Sequence, residues 1–419
     1  MRILNHLGRG TLGICAAVAM LAGCGGGSGT PLSPSPAGPS TTPAFAVLYS
    51  FGGETGDGVY PAEALINVNG TFYSTTRFGG SGSCSGSGFS GCGTVYAITM
   101  SGKETVLHSF AGGSSDGEDP EAGLLDVKGT LYGTTEEGGP NGAGTAFSIT
   151  PSGTETVLHS FGSASGDGAY PAAGLMNVNG TLDGTTSEGG VFSCSGEGCG
   201  TEFSMTTSGN ETVGFNFDYK DGAYPIAGLI NVKGTLYGTT VNGGAKSCSS
   251  QGCGTVFSIT RSTGSGVETV LHSFAGGNGD GEYPHAGLIN VKGTLYGTTF
   301  MGGASGIGTV FSIAPSGKET VLHSFRGGPD GVYPMAGLTV LNGTLYGTTL
   351  YGGTGKCEGG CGTVFAITTS GKETVVHSFS GSGGGKYPQA GLISVSGTLY
   401  GTTTRGGAKR DGTVFSLSP

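Results

Sequence analysis

The chain has 419 residues, among them 91 glycines and 17 prolines, and a formal net charge of −10. Only 18 residues are Lys or Arg, with no basic run of five, which excludes the footprint a nucleic-acid partner needs. The length excludes one ordinary core, and a glycine-plus-proline content near a quarter means disorder unless the glycines recur at fixed offsets, as they do.

The first 23 residues read as a signal peptide. Arg2 and Arg9 supply positive charge, and the apolar stretch 11–21 is too short to span a bilayer as a mature helix. Leu21-Ala22-Gly23-Cys24 has the form of a bacterial lipobox, so Cys24 is the expected lipidation site and the membrane an expected partner. Gly25 rather than Asp follows the cysteine, and the resemblance to bacterial lipoproteins then implies the outer membrane, in keeping with an expected anchorage in the cell envelope, at the outer membrane or cell surface. Residues 24–45, rich in Gly, Ser, Thr and Pro, hold too few apolar groups to offset ordering entropy and read as a tether.

From 46 to 419 the chain repeats. Tyr-Pro recurs at Tyr60, Tyr170, Tyr224, Tyr283, Tyr333 and Tyr387, with Asp119-Pro120 as the altered seventh copy, at spacings of 50 to 59 residues. G-T-L-Y-G-T-T and G-T-V-F keep step with it. Repeat five shows the unit. Residues 286–291 are strand a, Lys292-Gly293 a two-residue turn, 294–299 strand b, 309–313 strand c and 319–325 strand d. Four short strands in each of seven units predict an all-β, seven-bladed β-propeller with four antiparallel strands per blade. Residues 46–51 match strand d and 413–417 match strand c, so the N-terminal strand is expected to join the last blade and close the ring. An open solenoid would carry atypical capping repeats, and the sequence has none.

The units G-T-V-F-S-I-T, S-G-x-E-T-V-L-H-S-F, D-G-x-Y-P and A-G-L-I-N-V together resemble the Gloeobacter/Verrucomicrobia tandem repeat over about residues 46 to 419. The resemblance implies an exported protein with a propeller-like domain. It brings no activity and no catalytic residues.

Eight cysteines form local pairs between strands b and c: Cys84/Cys92, Cys194/Cys199, Cys248/Cys253 and Cys357/Cys361. They read as disulfide staples of extended loops in an oxidising compartment, in preference to metal sites. In the expected ring, the b–c and d–a loops share one face, where long loops on a rigid scaffold gather binding residues. The ligand-face candidates are Asp57, Tyr60, Asp116, Asp167, Tyr170, Asp221, Tyr224, Asp280, Tyr283, Asp330, Tyr333 and Tyr387. The aspartates, with Gly384 in the seventh place, could ring a cation or cationic ligand, but Asp before Gly is first a turn residue. His108, His159, His272, His323 and His377 share their place in strand d with Tyr49 and Phe215, which favours a packed ring over a metal or general-base role. The strand-b tyrosines Tyr73, Tyr132, Tyr237, Tyr296, Tyr346 and Tyr400 could stack on sugars, but their recurrence favours packing between blades.

The third repeat departs from the rest, with Asp183, Glu202 and Gly214-Phe215-Asn216. Two acids on adjacent strands could be a general acid/base pair or a cation site; drift of one blade is the plainer explanation. They are the weak catalytic candidates. No cofactor and no metal are expected. The leading functional expectation is a monomeric envelope-anchored binding module for a glycan or an envelope protein. The alternatives are an extracytoplasmic enzyme acting on polysaccharide and an assembly scaffold.

Overall fold

Every repeat forms one four-stranded antiparallel sheet in a computed structural model that describes residues 43–419, except 87–88, 193, 195, 246–247, 249, 263–264 and 315. Blade 1 consists of strands a (Ile66–Val68), b (Thr71–Thr76), c (Thr94–Thr99) and d (Glu104–Ser109), and five further blades follow the same order. In blade 7, strands Ile393–Val395, Thr398–Thr403 and Thr413–Ser418 are completed by the N-terminal strand Ala44–Ser50. That strand starts at Ala44, ahead of the expected 46, because Ala44 and Phe45 pair with Ser418 and Leu417. The signal segment 1–23, Cys24 and the tether up to residue 42 lie outside the described residues. Among the described residues no helix is long and apolar enough to cross a membrane.

The repeated words of the sequence each have a mechanical job. At the a–b turns both residues have positive φ, as Asn69 (53°) and Gly70 (86°) do, the backbone of the two-residue hairpin expected there. In G-T-T, the second threonine hydroxyl meets the threonine that opens strand c, at 2.8–2.9 Å in all seven blades. The first donates to a carbonyl of the next blade, as Thr239 does to Ala286 (3.0 Å). Glycine precedes them in six blades because strand b passes over the ring of the strand-c phenylalanine. A Cβ on Gly297 would lie 2.6 Å from Phe311 and 2.9 Å from Leu288.

Each interface between blades contains an aromatic pair of one recurring kind. The phenylalanine ending strand d stands edge-on to the strand-c aromatic of the next blade, at 5.0–5.2 Å between centroids. The pair Phe51–Tyr96 makes the closing contact between blades 7 and 1. Near the axis, the glycine of A-G-L packs on the preceding blade's backbone, with a Cβ on Gly287 falling 2.9 Å from the Gly228 carbonyl oxygen. The strand-b tyrosines lie in or against the clusters between blades; Tyr73 packs with Phe110, Leu131 and Phe147. All four expected disulfides are present, Cys84–Cys92, Cys194–Cys199, Cys248–Cys253 and Cys357–Cys361, each within a b–c loop.

Candidate functional site: the loop face

The b–c and d–a loops share a face, but they are pinned rather than free. In all seven blades the D-G-x segment, or Gly384-Gly385-Lys386 in its place, pairs antiparallel with residues lying one beyond the end of strand b, from Gly58–Val59 with Phe78–Gly79 to the bridge between Lys386 and Arg405. The residue before proline has positive φ in every copy, 54° to 66°, including Asp119 at 55°. This unusual backbone lets one peptide clamp two blades. The Tyr283 N–H donates to the Cys253 carbonyl of blade 4, while its own carbonyl accepts from Phe300 N–H of blade 5. Pro284 lies against Gly254, which has no side chain to obstruct it. Tyr60, Tyr170, Tyr224, Tyr333 and Tyr387 make the same clamp.

The mouth framed by these clamps is asymmetric. Across blades 5, 6, 7 and 1 it is aromatic. His285 tilts on Phe300 (4.9 Å), Phe300 stacks on Tyr333 (4.6 Å), Tyr333 meets Tyr351 (6.2 Å) and Tyr351 meets Tyr387 (5.2 Å). Gln389 Nε2 then donates to the Tyr60 hydroxyl at 3.0 Å. Tyr60 in turn leads to the stacked pair Phe78 and Phe89. Arg405 lies over Phe89 (4.2 Å) and Tyr60 (5.5 Å), and Lys386 over Tyr387 (5.0 Å).

Across blades 1 and 2 the mouth is ionic. Arg77 Nε donates to Asp119 Oδ1 at 2.7 Å, and its guanidinium also pairs with Glu121 and Glu136. Burial pushes the nearby Glu63 carboxyl well above its usual range, against the pull of Arg77. Arg77, Glu121, Glu136, Phe300, Tyr351 and Arg405 went unread in the sequence. The signal was present: they occupy the positions after G-T-T and after Tyr-Pro, the places where the repeat is least uniform.

The six aspartates fold back on their own loops. Asp57 accepts from Gly52 and Gly53 N–H, Asp116 from Ala111 and Gly117, Asp280 from Ala275 and Gly281. Asp167, Asp221 and Asp330 accept from Ser163, Asp218 and Arg326. Four of them also meet the strand-d histidine, and the glutamate opening strand d of the next blade joins the group: His108/Asp116/Glu155, His159/Asp167/Glu211, His272/Asp280/Glu319 and His323/Asp330/Glu373. Sequence reading treated the aspartates and histidines as separate rings and passed over the glutamates. Burial, reinforced by the neighbouring aspartate, pushes Glu155, Glu319 and Glu373 up to about 7.

Asp183 and Glu202 do come together, both at 0% exposure. Arg261, from the extended c–d hairpin of blade 4, donates to Asp183 Oδ1 at 2.7 Å and to Glu202 Oε1. Gly214 stands where other blades have leucine or valine, and a Cβ there would collide with Glu202 Oε2. Three departures of the third repeat, Asp183, Glu202 and Gly214, are therefore parts of one ion cluster closed by Arg261. Burial raises both carboxyls, Glu202 to about 7.

Fold and face together define a closed seven-bladed propeller with a rigid, asymmetric mouth. The chain belongs to the Gloeobacter/Verrucomicrobia repeat family, whose model matches residues 22–196, 81–279 and 245–419. No curated protein matches the sequence. Similar solved structures include a puromycin hydrolase (11% identity, TM-score 0.50, 83% of this chain and 50% of that one). Others are a Mycobacterium tuberculosis puromycin-hydrolyzing peptidase (10%, 0.48, 82% and 50%) and a Pseudomonas aeruginosa periplasmic gluconolactonase (16%, 0.47, 83% and 96%). The chain spans half the length of the two puromycin-hydrolysing structures. At these identities the likeness shows the fold alone.

Proposed function

We propose that this chain is an envelope-anchored binding module whose ligand is a glycan lying across the aromatic half of the mouth. The observation that carries the reading is the run of half-buried rings Tyr333, Tyr351 and Tyr387, with Tyr60, held by Gln389, on the neighbouring blade. Aromatic rings offer apolar faces to sugar C–H groups, while tyrosine hydroxyls and the flanking Arg405 and Lys386 suit sugar hydroxyls and acidic substituents. Four disulfides fit an oxidising, extracytoplasmic compartment. The lipobox at Cys24 supplies the anchor in this reading, and the pinned loops supply a preorganised surface. Large exposed apolar side chains among the described residues are few (Met100, the adjacent Val191 and Phe192, and Val267), which argues against a scaffold with an apolar rim.

The test is a glycan array probed with the mature chain carrying Cys24→Ser. Binding is expected to weaken about tenfold or more in Tyr351→Ala and in Arg405→Ala. A blank array, or equal binding by both variants, would sink the glycan reading. The ionic half of the mouth favours a second reading, an enzyme acting on polysaccharide through Asp119, Glu121 and Glu136, whose oxygens lie within 4.8 Å of one another. Release of reducing ends from a bound polysaccharide, abolished in Asp119→Asn, would establish it.

A further inference from the structure

The His/Asp/Glu clusters lie away from the mouth, at the junctions between strand d of one blade and strand d of the next. In three of them the histidine is closed onto its aspartate: His108 to Asp116 at 3.3 Å, His272 to Asp280 at 3.2 Å and His323 to Asp330 at 3.2 Å. The cluster between blades 2 and 3 is open. His159 Nε2 and Asp167 Oδ1 stand 3.8 Å apart, and the Asp167 side chain is only 6% exposed. His159 Nε2 and Asp167 Oδ1 are shut off from solvent without a hydrogen-bond partner among the described residues, which is peculiar to this cluster, and so is Glu211 Oε1, as its counterparts Glu155, Glu319 and Glu373 are in the others. Three buried polar atoms left unmatched at one point are costly unless something binds them together.

The chain itself supplies a comparison. At the junction of blades 6 and 7 the aspartate's place is taken by Gly384 and the glutamate's by Phe45. Both acids are lost together, and the remaining His377 stacks flat on Phe45 at 4.1 Å. Packing alone can therefore close this junction, so the acids are not required by the fold. Where histidine is replaced, by Tyr49 or Phe215, the acids persist, as Asp57 with Glu104 and Asp221 with Glu268.

We propose that His159, Asp167 and Glu211 form a binding site for one divalent cation of the zinc class between blades 2 and 3. Their ligand-type atoms lie within 4.8 Å of one another. Donors at about 2.0–2.4 Å from a shared ion are separated by up to twice that distance, so small side-chain adjustments bring all three onto one ion. One imidazole nitrogen with two carboxylate oxygens suits zinc or manganese better than calcium, which takes six to eight oxygens. Asp167 is held for the role, since its Oδ2 accepts from Ser163 N–H (2.8 Å) and Ser163 Oγ–H (2.9 Å), leaving Oδ1 turned toward His159 Nε2 beyond hydrogen-bond distance. The ion would rivet strand d of blade 2 to strand d of blade 3.

The experiment uses the mature chain with Cys24→Ser, stripped with chelator and titrated with zinc chloride by calorimetry and by thermal melting. The wild type is expected to bind one tight equivalent and to melt at higher temperature with zinc. His159→Phe reproduces what Phe215 does in blade 3, so it should fold; its zinc affinity is expected to fall about tenfold or more. Glu211→Gln provides the same readout should that variant fold poorly. His377→Phe, at the junction without acids, should bind like the wild type. Absence of binding and of any melting shift in the wild type overturns the proposal. So does unchanged zinc affinity in folded His159→Phe and Glu211→Gln.

Discussion

Glu202 shows how a single residue departing from the repeat reshapes its surroundings. Valine or alanine fills this place in the other blades; here a carboxyl is buried beside Asp183, with one guanidinium to serve both. Two carboxylates and one arginine leave an excess negative charge in a dry site, and burial resolves it by lifting Glu202 to about 7 from the ordinary 4.5. Its folded pKa thus lies above its unfolded one, so the folded protein holds the proton more tightly. The stabilisation is complete below the unfolded value and is lost as pH rises through about 7. It amounts to at most about 3 kcal/mol, less whatever Arg261 recovers when both acids ionise. Melting temperature is expected to fall between pH 5 and pH 8, with a shallower slope in Glu202→Gln than in the wild type; parallel slopes would refute this account. Sequence alone set Asp183 beside Glu202 as two acids on adjacent strands but did not join Gly214 to them. The residue that explains them, Arg261, lies in the next blade, on a long c–d hairpin that brings it across to blade 3.

At the scale of the strand and its turns, most of the architecture was legible because each repeated word performs one local task. Asn-Gly and Lys-Gly mark the a–b turns, G-T-T couples strand b to strand c and to the next blade, and the final Phe of strand d plugs the interface. Glycine in G-T-T makes the sharpest prediction. Gly297→Ala places a methyl between Phe311 and Leu288 with no space to receive it. Overpacking of this kind costs about 1–3 kcal/mol, which denaturant unfolding should detect. Ser74 takes the equivalent place in blade 1, where its hydroxyl donates to the Ala64 carbonyl at 3.1 Å and the strand-c ring is Tyr96. Tolerance of a larger side chain there does not transfer to blade 5, whose ring and leucine are placed for glycine. What could not be read at this scale was how strand d of one blade meets strand d of the next. The Glu that opens strand d and the His that nearly ends it belong to different clusters, because the His meets the Asp of the loop that follows its own strand while the Glu reaches across to the preceding blade.

Ring closure turns seven modest sheets into one stable body. An isolated blade has two open edges, whereas in the ring every strand-d phenylalanine meets the strand-c aromatic of a neighbouring blade, with Phe51–Tyr96 serving blades 7 and 1 as Phe274–Phe311 serves blades 4 and 5. The strand Ala44–Ser50 is what makes this possible. It pairs with Thr413–Ser418 across the whole length of the chain, with a shift of register between Val47 and Tyr49. The corresponding c–d pairs carry the same shift, as between Val310 and Phe311 of blade 5. The strand also carries Phe45, which packs on His377, Phe379 and Phe415, and Tyr49, whose hydroxyl donates to Asp57 Oδ2 at 3.0 Å. Removing residues 44–50 would strip the outer strand from blade 7, leave the edge of 413–418 unpaired and uncover the apolar surface beneath Phe45. An unpaired edge of this kind recruits another strand. Deletion of 44–50 is therefore expected to convert a monomer into oligomers or aggregate by size-exclusion chromatography with light scattering. A synthetic peptide of residues 44–50 added during refolding should restore part of the monomer, because the pairing it offers is antiparallel and needs no covalent connection. A deletion variant that stayed monomeric with an unchanged melting temperature would show that the ring does not depend on this strand. The stability of the whole would then have to come from the six junctions formed without it.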